Sequence, residues 1–349
     1  MDESVPRVTV AVIERETFAH TKRSLESLYV STTLPFKLVY VDAGSPRSVF
    51  SYLRKEARRR SFQLVRYDRF LWENEAKNAA MPFVDTEFVV FVDNDVLFAP
   101  GWLEALVACA DEEQAGVVGP VTCLGDPPFT VVHAAGGRAW FEETAAGRSF
   151  ITEERGWDMP LAELRGDLTR SPVDSVEFHV ALVRSELVRA LGPFDEALKT
   201  MWEGKDFCLL AGRAGYTVWI EPAALVSHLL PHALLRGALD LRFLLHRWNR
   251  RDNIATVAHF GRKWGLRADD AHGAWISRRA TIRPLELLAG KKLIKALRAI
   301  KRRVGGMTQV IVRMFASCCE RYDLRTKMAT DRCEARDRRT APTVAGRTV

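Results

Sequence analysis

Cysteine is scarce in this chain, and what there is makes no motif. The six cysteines among 349 residues are Cys109, Cys123, Cys208, Cys318, Cys319 and Cys333, and none stands in a Cys-x-x-Cys spacing. A structural zinc site is therefore not expected, and reduced thiols packed in the interior are. No stretch approaches the ~18 to 20 uninterrupted apolar residues that would span a bilayer. The first ten residues, MDESVPRVTV, carry no apolar signal region, so secretion is not expected and the cytoplasm is the expected compartment. No internal repeat is visible.

What is present is a globular composition with a lopsided charge. Hydrophobic residues make up 47% of the chain, enough for a sizeable core. The net charge is +7, yet residues 236–349 hold 27 Lys or Arg against 10 Asp or Glu, while residues 1–235 are net acidic. An acidic body joined to a basic tail implies two surfaces with different partners.

Along the body, short apolar runs alternate with amphipathic segments. Val8–Ile13, Phe36–Val41, Phe62–Tyr67 and Phe88–Val92 read as strands. Thr21–Tyr29, Val49–Arg60, Glu73–Met81 and Trp102–Ala110 read as helices between and after them. This alternation predicts an α/β fold with a doubly wound, mostly parallel sheet of Rossmann-like type. Residues 122–172 are rich in Gly, Pro and charge and are expected to form loops over a site. Val173–Val183, Tyr216–Ile220 and Ala224–Leu229 read as further strands, Ser185–Leu191 and Glu203–Ala214 as helices. Three divisions follow: a body over 1–235, a helical basic region over 236–329, and a polar, disordered tail over 330–349.

The residues that carry chemistry gather at strand ends. Asp93-Asn94-Asp95 directly follows the apolar run Phe88–Val92. Positions two apart in extended chain point the same way, so both carboxylates can face one ligand. Ligands of parallel α/β sheets bind beyond the carboxyl ends of strands, and paired carboxylates there suit a hard divalent cation. Asp42, in Val-Asp-Ala-Gly-Ser, either receives an N–H from a nucleotide base or bonds the backbone of an Asp-Gly turn. Glu203 and Asp206 open a helix three residues apart, where either could act as a general base or simply stabilise the helix start. His228 ends a strand-like run and can complete a metal shell or serve structure alone, with His232 a weaker rival.

Taken in order, these segments resemble the family 2 glycosyltransferases of the GT-A fold. The matching stretches are VTVAVI, LESLY, VDAGS, NEAKNAAMPFVDTEFVVFVDNDVLFAPGWLEAL, LVRSELVRALGPFDEAL and WEGKDFCLLAGRAGY, spread over about residues 7–232. The resemblance implies an inverting transfer of a sugar from a nucleotide-sugar donor to a glycan or lipid-linked acceptor. It implies Mg2+ or Mn2+ on Asp93 and Asp95, with His228 joining the shell. Donor contacts would come from Asp42, Lys77, Asn78 and Asp93, and the base from Glu203 or Asp206. Two departures stand out. The loop after the first strand reads Glu14-Arg15-Glu16 instead of a Pro-Thr-Tyr-Asn-like turn, and Gly204 occupies the family's usual base position, leaving Glu203 as the preferred neighbour. The rival functions are a non-enzymatic membrane-associated scaffold and a nucleotidyltransferase. The latter usually brings a Gly-rich basic phosphate loop near the N-terminus, which VIERETFAH does not supply.

In the tail, Leu293, Leu297, Ile300 and Val304 fall on one helical stripe, while Lys291, Lys292, Lys295, Arg298, Lys301, Arg302 and Arg303 crowd the other faces. That pattern fits an interfacial helix on anionic lipid at the inner face of a membrane. No nucleic-acid fold accompanies the charge, so no nucleic-acid partner is expected. Each cation near such a surface contributes about 1 kcal/mol. The full chain should therefore co-sediment with anionic liposomes and a 1–285 truncation should not; equal pelleting of both would remove 291–304 as the anchor.

Overall fold

The computed structural model describes residues 5–229 and 238–267. The predicted alternation is there in the first half. β1 (Val8–Ile13), α1 (Thr21–Ser31), β2 (Phe36–Ala43), α2 (Arg47–Arg60), β3 (Gln63–Tyr67), α3 (Glu73–Ala80) and β4 (Phe88–Asp93) follow one another. β5 (Val96–Phe98), α4 (Trp102–Glu112) and β6 (Val117–Leu124) complete that half. β1 pairs in parallel with β2 and with β4, and β2 in parallel with β3.

The second half is more strand-rich than its sequence implied. The stretch expected to be loops contains β7 (Val131–Ala134), a hairpin of β8 (Gly137–Thr144) and β9 (Gly147–Glu154), and α5 (Leu161–Leu164). The predicted strand over Val173–Val183 is two strands, β10 (Ser171–Val173) and β11 (Val180–Arg184), separated by a turn at 174–179. α6 (Ser185–Leu191) and α7 (Glu203–Arg213) follow. The two apolar segments from Tyr216 to Leu229 form a single strand, β12 (Val218–His228), whose register on β6 shifts between Glu221 and Leu225. The main sheet runs β10-β12-β6-β11-β4-β1-β2-β3, with β5 on β12 and β7 on β6. β11 is antiparallel to both of its neighbours.

β1 and β4 are almost wholly apolar because both of their faces are covered. Val8, Val10, Val12, Tyr40, Val90 and Val92 turn to the layer holding Leu25, Leu53 and Trp102. Ala11, Ile13, Val41, Val89 and Phe91 turn to the other, holding Ala76, Leu187 and Phe207. No helix among the described residues is long and apolar enough to cross a membrane.

Of the basic region after residue 235, the described part is α8 (Ala238–Arg247) and α9 (Arg250–Trp264), and both lie on the body. Asp240 accepts the Phe18 amide at 2.9 Å, and Phe243 stacks on Phe18 with centroids 4.6 Å apart. On α9, Phe260 and Trp264 join Ala139, Phe150 and Trp202 in a separate apolar cluster that holds the β8–β9 hairpin. The 291–304 stripe and the 330–349 tail lie outside the described residues.

Trp264 is the hub of that cluster. Its ring lies against Phe141, 5.3 Å between centroids, and its indole N–H donates to Asp206 Oδ1 at 2.8 Å. Trp264→Ala should destabilise the protein by about 3–5 kcal/mol, as buried aromatic truncations do. Trp264→Phe, which keeps most of the ring but drops the bond to a carboxylate, should cost about 1.5–3 kcal/mol. Urea unfolding at matched m-values would measure both, and equal losses would show that packing contributes nothing beyond the bond.

Candidate functional site

Strand register builds the site. Ile13 is opposite both Asp93 of β4 and Val41 of β2, so the residues leaving three strands emerge side by side. β11 enters from the opposite direction with Val180 opposite Val92, which sets His179 beside Asp93; the Asp93 amide donates to the His179 carbonyl at 2.9 Å. β12 ends with His228 opposite Val96, and the Leu229 amide donates to the Asp95 carbonyl at 2.8 Å. Residues far apart in sequence thus converge on one edge.

Asp93, Asn94 and Asp95 are fully buried. Asn94 serves structure. Its Oδ1 accepts the Arg15 amide at 3.2 Å, and its Nδ2 donates to the Thr17 carbonyl at 2.8 Å. It fastens the loop after β1 to the turn. Asp93 Oδ2 meets His179 Nδ1 at 2.7 Å and Arg15 at 3.2 Å. Asp95 Oδ2 lies 3.3 Å from His228 Nε2. Asp93 Oδ1, both Asp95 oxygens and both His228 nitrogens make no hydrogen bond among the described residues. Buried carboxylate oxygens left in that state are costly unless something else meets them. Their donor set, carboxylate oxygens with one imidazole, fits a divalent cation.

The charge balance is set by Arg15. Only a tenth exposed, it lies 3.2 Å from Asp93, 3.4 Å from Glu73 and 3.9 Å from Glu203. Burial pushes Asp93 up to about 7, with Asp95 adding to the rise while Arg15, His228 and Lys77 oppose it. Burial also carries Glu73 well above the ordinary carboxyl range, against Arg15 and Arg247. Burial would raise Glu203 too, but a hydrogen bond from Glu73 and the charges of Lys77 and Arg15 hold it below its ordinary value. Burial thus favours the neutral form of Glu73, while the neighbours of Glu203 favour its charged form. Burial opposes the charged form of His228, yet Asp95, Glu16 and Asp93 raise its pKa.

The other expected site residues divide. Lys77 is buried, bonds Asn74 Oδ1 at 3.2 Å, and has Glu203 and Glu73 as its nearest negative charges; burial lowers its pKa. Asp42 shows the turn: Oδ1 accepts the Ser45 amide at 3.1 Å, Oδ2 accepts from Arg66 at 2.7 Å, and Gly44 holds φ +79°. Asn78, expected at the donor site, is engaged elsewhere. Its amide donates to the Phe194 carbonyl and to Glu196, and its oxygen accepts the Phe194 amide at 2.8 Å, so it clasps α3 to the segment after α6. Asp206 bonds Lys263 at 2.7 Å and Trp264 at 2.8 Å, which makes it the anchor of α9.

Gly204 has no room for a side chain, since a Cβ there would come 2.6 Å from the Phe178 ring. Glu203, one residue earlier, starts α7 after two residues in the left-handed region, Met201 at φ 59° and Trp202 at φ 61°. Such backbone is sparsely populated outside glycine, and its cost is characteristic of functional sites. Sequence reasoning missed Arg15, Glu14, Glu73, His179 and Arg247. Glu14 and Arg15 carried a signal, a charged pair directly after a buried strand. Glu14 Oε2 accepts the Ala43 amide at 2.7 Å, tying the ends of β1 and β2 together.

Residues 10–157 match the family model described as Glycosyl transferase family 2. Over 186 residues, 53% of the chain, the sequence is 29% identical to the pre-mycofactocin glycosyltransferase of two Mycobacterium tuberculosis strains, covering 33% of that protein. Over 270 residues, 72% of the chain, it is 25% identical to the uncharacterized protein y4gI of Sinorhizobium fredii, covering 28% of it. The chain thus spans about a third of the length of these curated relatives. Among solved structures, GalNAc-T7 with UDP, GalNAc and Mn2+ superposes with a TM-score of 0.51 at 14% identity. That superposition covers 80% of this chain and 55% of the other, and the likeness is one of fold.

Arg15 should be indispensable to folding of this edge. Removing one partner from a buried charge cluster costs about 3–5 kcal/mol, because the remaining charges are left unpaired. Arg15→Met should lose that much in urea unfolding, and Arg15→Lys should lose less. A loss below ~1 kcal/mol in Arg15→Met would mean that the surrounding carboxyls are neutral in the native state.

Proposed function

We propose that this chain, whose residues 10–157 match the model described as Glycosyl transferase family 2, is a glycosyltransferase of that family and moves a sugar from a nucleoside-diphosphate donor to an acceptor hydroxyl in a single inverting displacement. The observation that carries this reading is the convergence of Asp93, Asp95 and His228, whose buried Asp93 Oδ1 and Asp95 Oδ1 make no hydrogen bond, with Glu203 linked to Asp93 through Arg15. Asp93, Asp95 and His228 would hold Mg2+ or Mn2+; GalNAc-T7, which shares the fold, was solved with Mn2+. Once bound, such an ion supplies positive charge to the departing diphosphate.

The chain's own groups do the rest. Arg15 and Lys77 add two cations to the edge on which Asp93 stands, and both are near Glu203. A donor diphosphate would compete with Glu203 for the Arg15 guanidinium. Drawing Arg15 away would raise the basicity of Glu203 in step with donor binding, so that it accepts the acceptor proton only when a donor is present. Asp206 would contribute through α9 instead, because Lys263 and Trp264 hold both of its oxygens. The acceptor is proposed to be a glycan or a lipid-linked sugar delivered at a cytoplasmic membrane face, with 291–304 as the contact.

Two variants test the reading. Asp95→Ala should fold normally and lose Mn2+-dependent binding of nucleoside diphosphates in calorimetry; binding as tight as wild type would refute the metal assignment. Glu203→Gln should keep donor affinity while turnover falls by ~10² or more. Asp206→Asn should instead lower thermal stability, and a large turnover loss confined to Asp206→Asn would reverse the assignment of the base.

A further inference from the structure

A second group of metal-ligating side chains stands beside Asp93. His133 comes from β7, while Glu177 and His179 come from the turn that leads into β11. One ligand atom of each lies within 4.8 Å of the other two. We propose that His133, Glu177 and His179 form a second divalent-ion site, separate from Asp93, Asp95 and His228, that takes a borderline ion of the zinc class.

Donor chemistry separates the two sites. The Asp93–Asp95 pair offers mostly carboxylate oxygen, which suits hard ions such as Mg2+ and Mn2+. His133, Glu177 and His179 offer two imidazole nitrogens and one carboxylate oxygen. That set is found in zinc sites that keep a position open for water or a ligand. His179 is already oriented to bind. Its Nδ1 is bonded to Asp93 Oδ2 at 2.7 Å, and a carboxylate on one imidazole nitrogen fixes the ring so that the other can serve a metal. Glu177 is steadied by Lys205, whose ammonium lies 3.5 Å from Glu177 Oε1 and is shared with Glu154. A second Glu177 oxygen remains for an ion.

The arrangement is open where it must admit an ion and fixed where it must hold one. His179 is buried, whereas His133 and Glu177 are partly exposed. The His133 ring lies 4.9 Å from that of Trp157, which is half-exposed. Zinc bonds of about 2.0–2.2 Å place tetrahedral ligands roughly 3.4 Å apart. Donors within 4.8 Å of one another must therefore draw in by up to about 1.4 Å. The partly exposed His133 and the turn carrying Glu177 can supply that movement, while β11 keeps His179 in place.

The test is a zinc titration of the full-length chain by isothermal calorimetry in saturating Mg2+, which occupies the hard site. The expected result is one tightly held Zn2+ that His133→Ala and Glu177→Gln each weaken at least tenfold. Asp95→Ala should leave that affinity unchanged. Circular dichroism and thermal unfolding confirm that each variant is folded, and the isosteric Glu177→Gln carries the conclusion should His133→Ala fail to fold. Zinc affinity unaltered in a folded variant, including zinc held by thiols elsewhere in the chain, would overturn the proposal, as would no binding by wild type at micromolar Zn2+. Because Mn2+-dependent nucleotide binding reports on Asp95, failure of this site and failure of the transferase reading are told apart.

Discussion

The compensation of buried carboxylates at one sheet edge is the constraint on which the rest of this protein depends. Glu14, Glu73, Asp93, Asp95 and Glu203 are all at most 5% exposed and lie around the ends of β1, β2, β4 and α7. So many anions taken out of water cost several kcal/mol each unless they are paired, protonated or bound to a metal. The protein uses protonation and pairing together. Burial favours the neutral form of Glu73, Arg15 reaches the carboxyl groups of Glu73, Asp93 and Glu203, and Lys77 is a second buried basic group. Asp93 Oδ1 and both Asp95 oxygens are among the buried carboxylate oxygens left without a hydrogen bond, and a divalent ion would be received there.

The sheet makes this possible because parallel strands of equal register release their chains together. Ile13, Val41 and Asp93 are level across three strands, so the loops that follow meet at one height. The antiparallel β11 delivers His179 to the same place from the other direction, and β12 delivers His228 through its pairing with β5. A one-residue slip in any of these pairings would turn the ligand-bearing side chain to the opposite face. The continuous burial of β1 and β4 on both faces is what makes such a slip expensive.

Much of this was legible in the sequence because strand and helix periods are local. The runs from Val8 to Val92 announced the parallel half of the sheet, and the step from an apolar strand into Asp93-Asn94-Asp95 announced the edge. The β8–β9 hairpin was not legible. Its apolar residues, Ala139, Phe141 and Phe150, are interleaved with charge and glycine, and they are buried only because α9 brings Phe260 and Trp264 against them. The bonds Asn78 makes were not legible either, because its partner Phe194 is supplied by a distant segment. Arg15 looked like a departure from a motif, and only the fold shows which carboxylates it meets.

The exchange at Gly204 shows how such departures hold together. Phe178 fills the space a side chain at 204 would need, and it does so while packing its ring on Phe207 one helical turn further on. A carboxylate restored at 204 would therefore collide with the core, so the acidic function of this helix start must come from a neighbour. Of the two neighbours, Asp206 is committed to Lys263 and Trp264, and through them to α9. That leaves Glu203, which two left-handed residues place at the start of α7, close to Arg15. α8 adds to the same balance, since Arg247 pairs with Glu73 and opposes the rise that burial and Glu203 impose on it. The helices following β12 are thereby part of the site's electrostatics as well as its packing. A change in how α8 sits would reach the surroundings of Glu203 through Arg247 without touching any residue that meets a substrate.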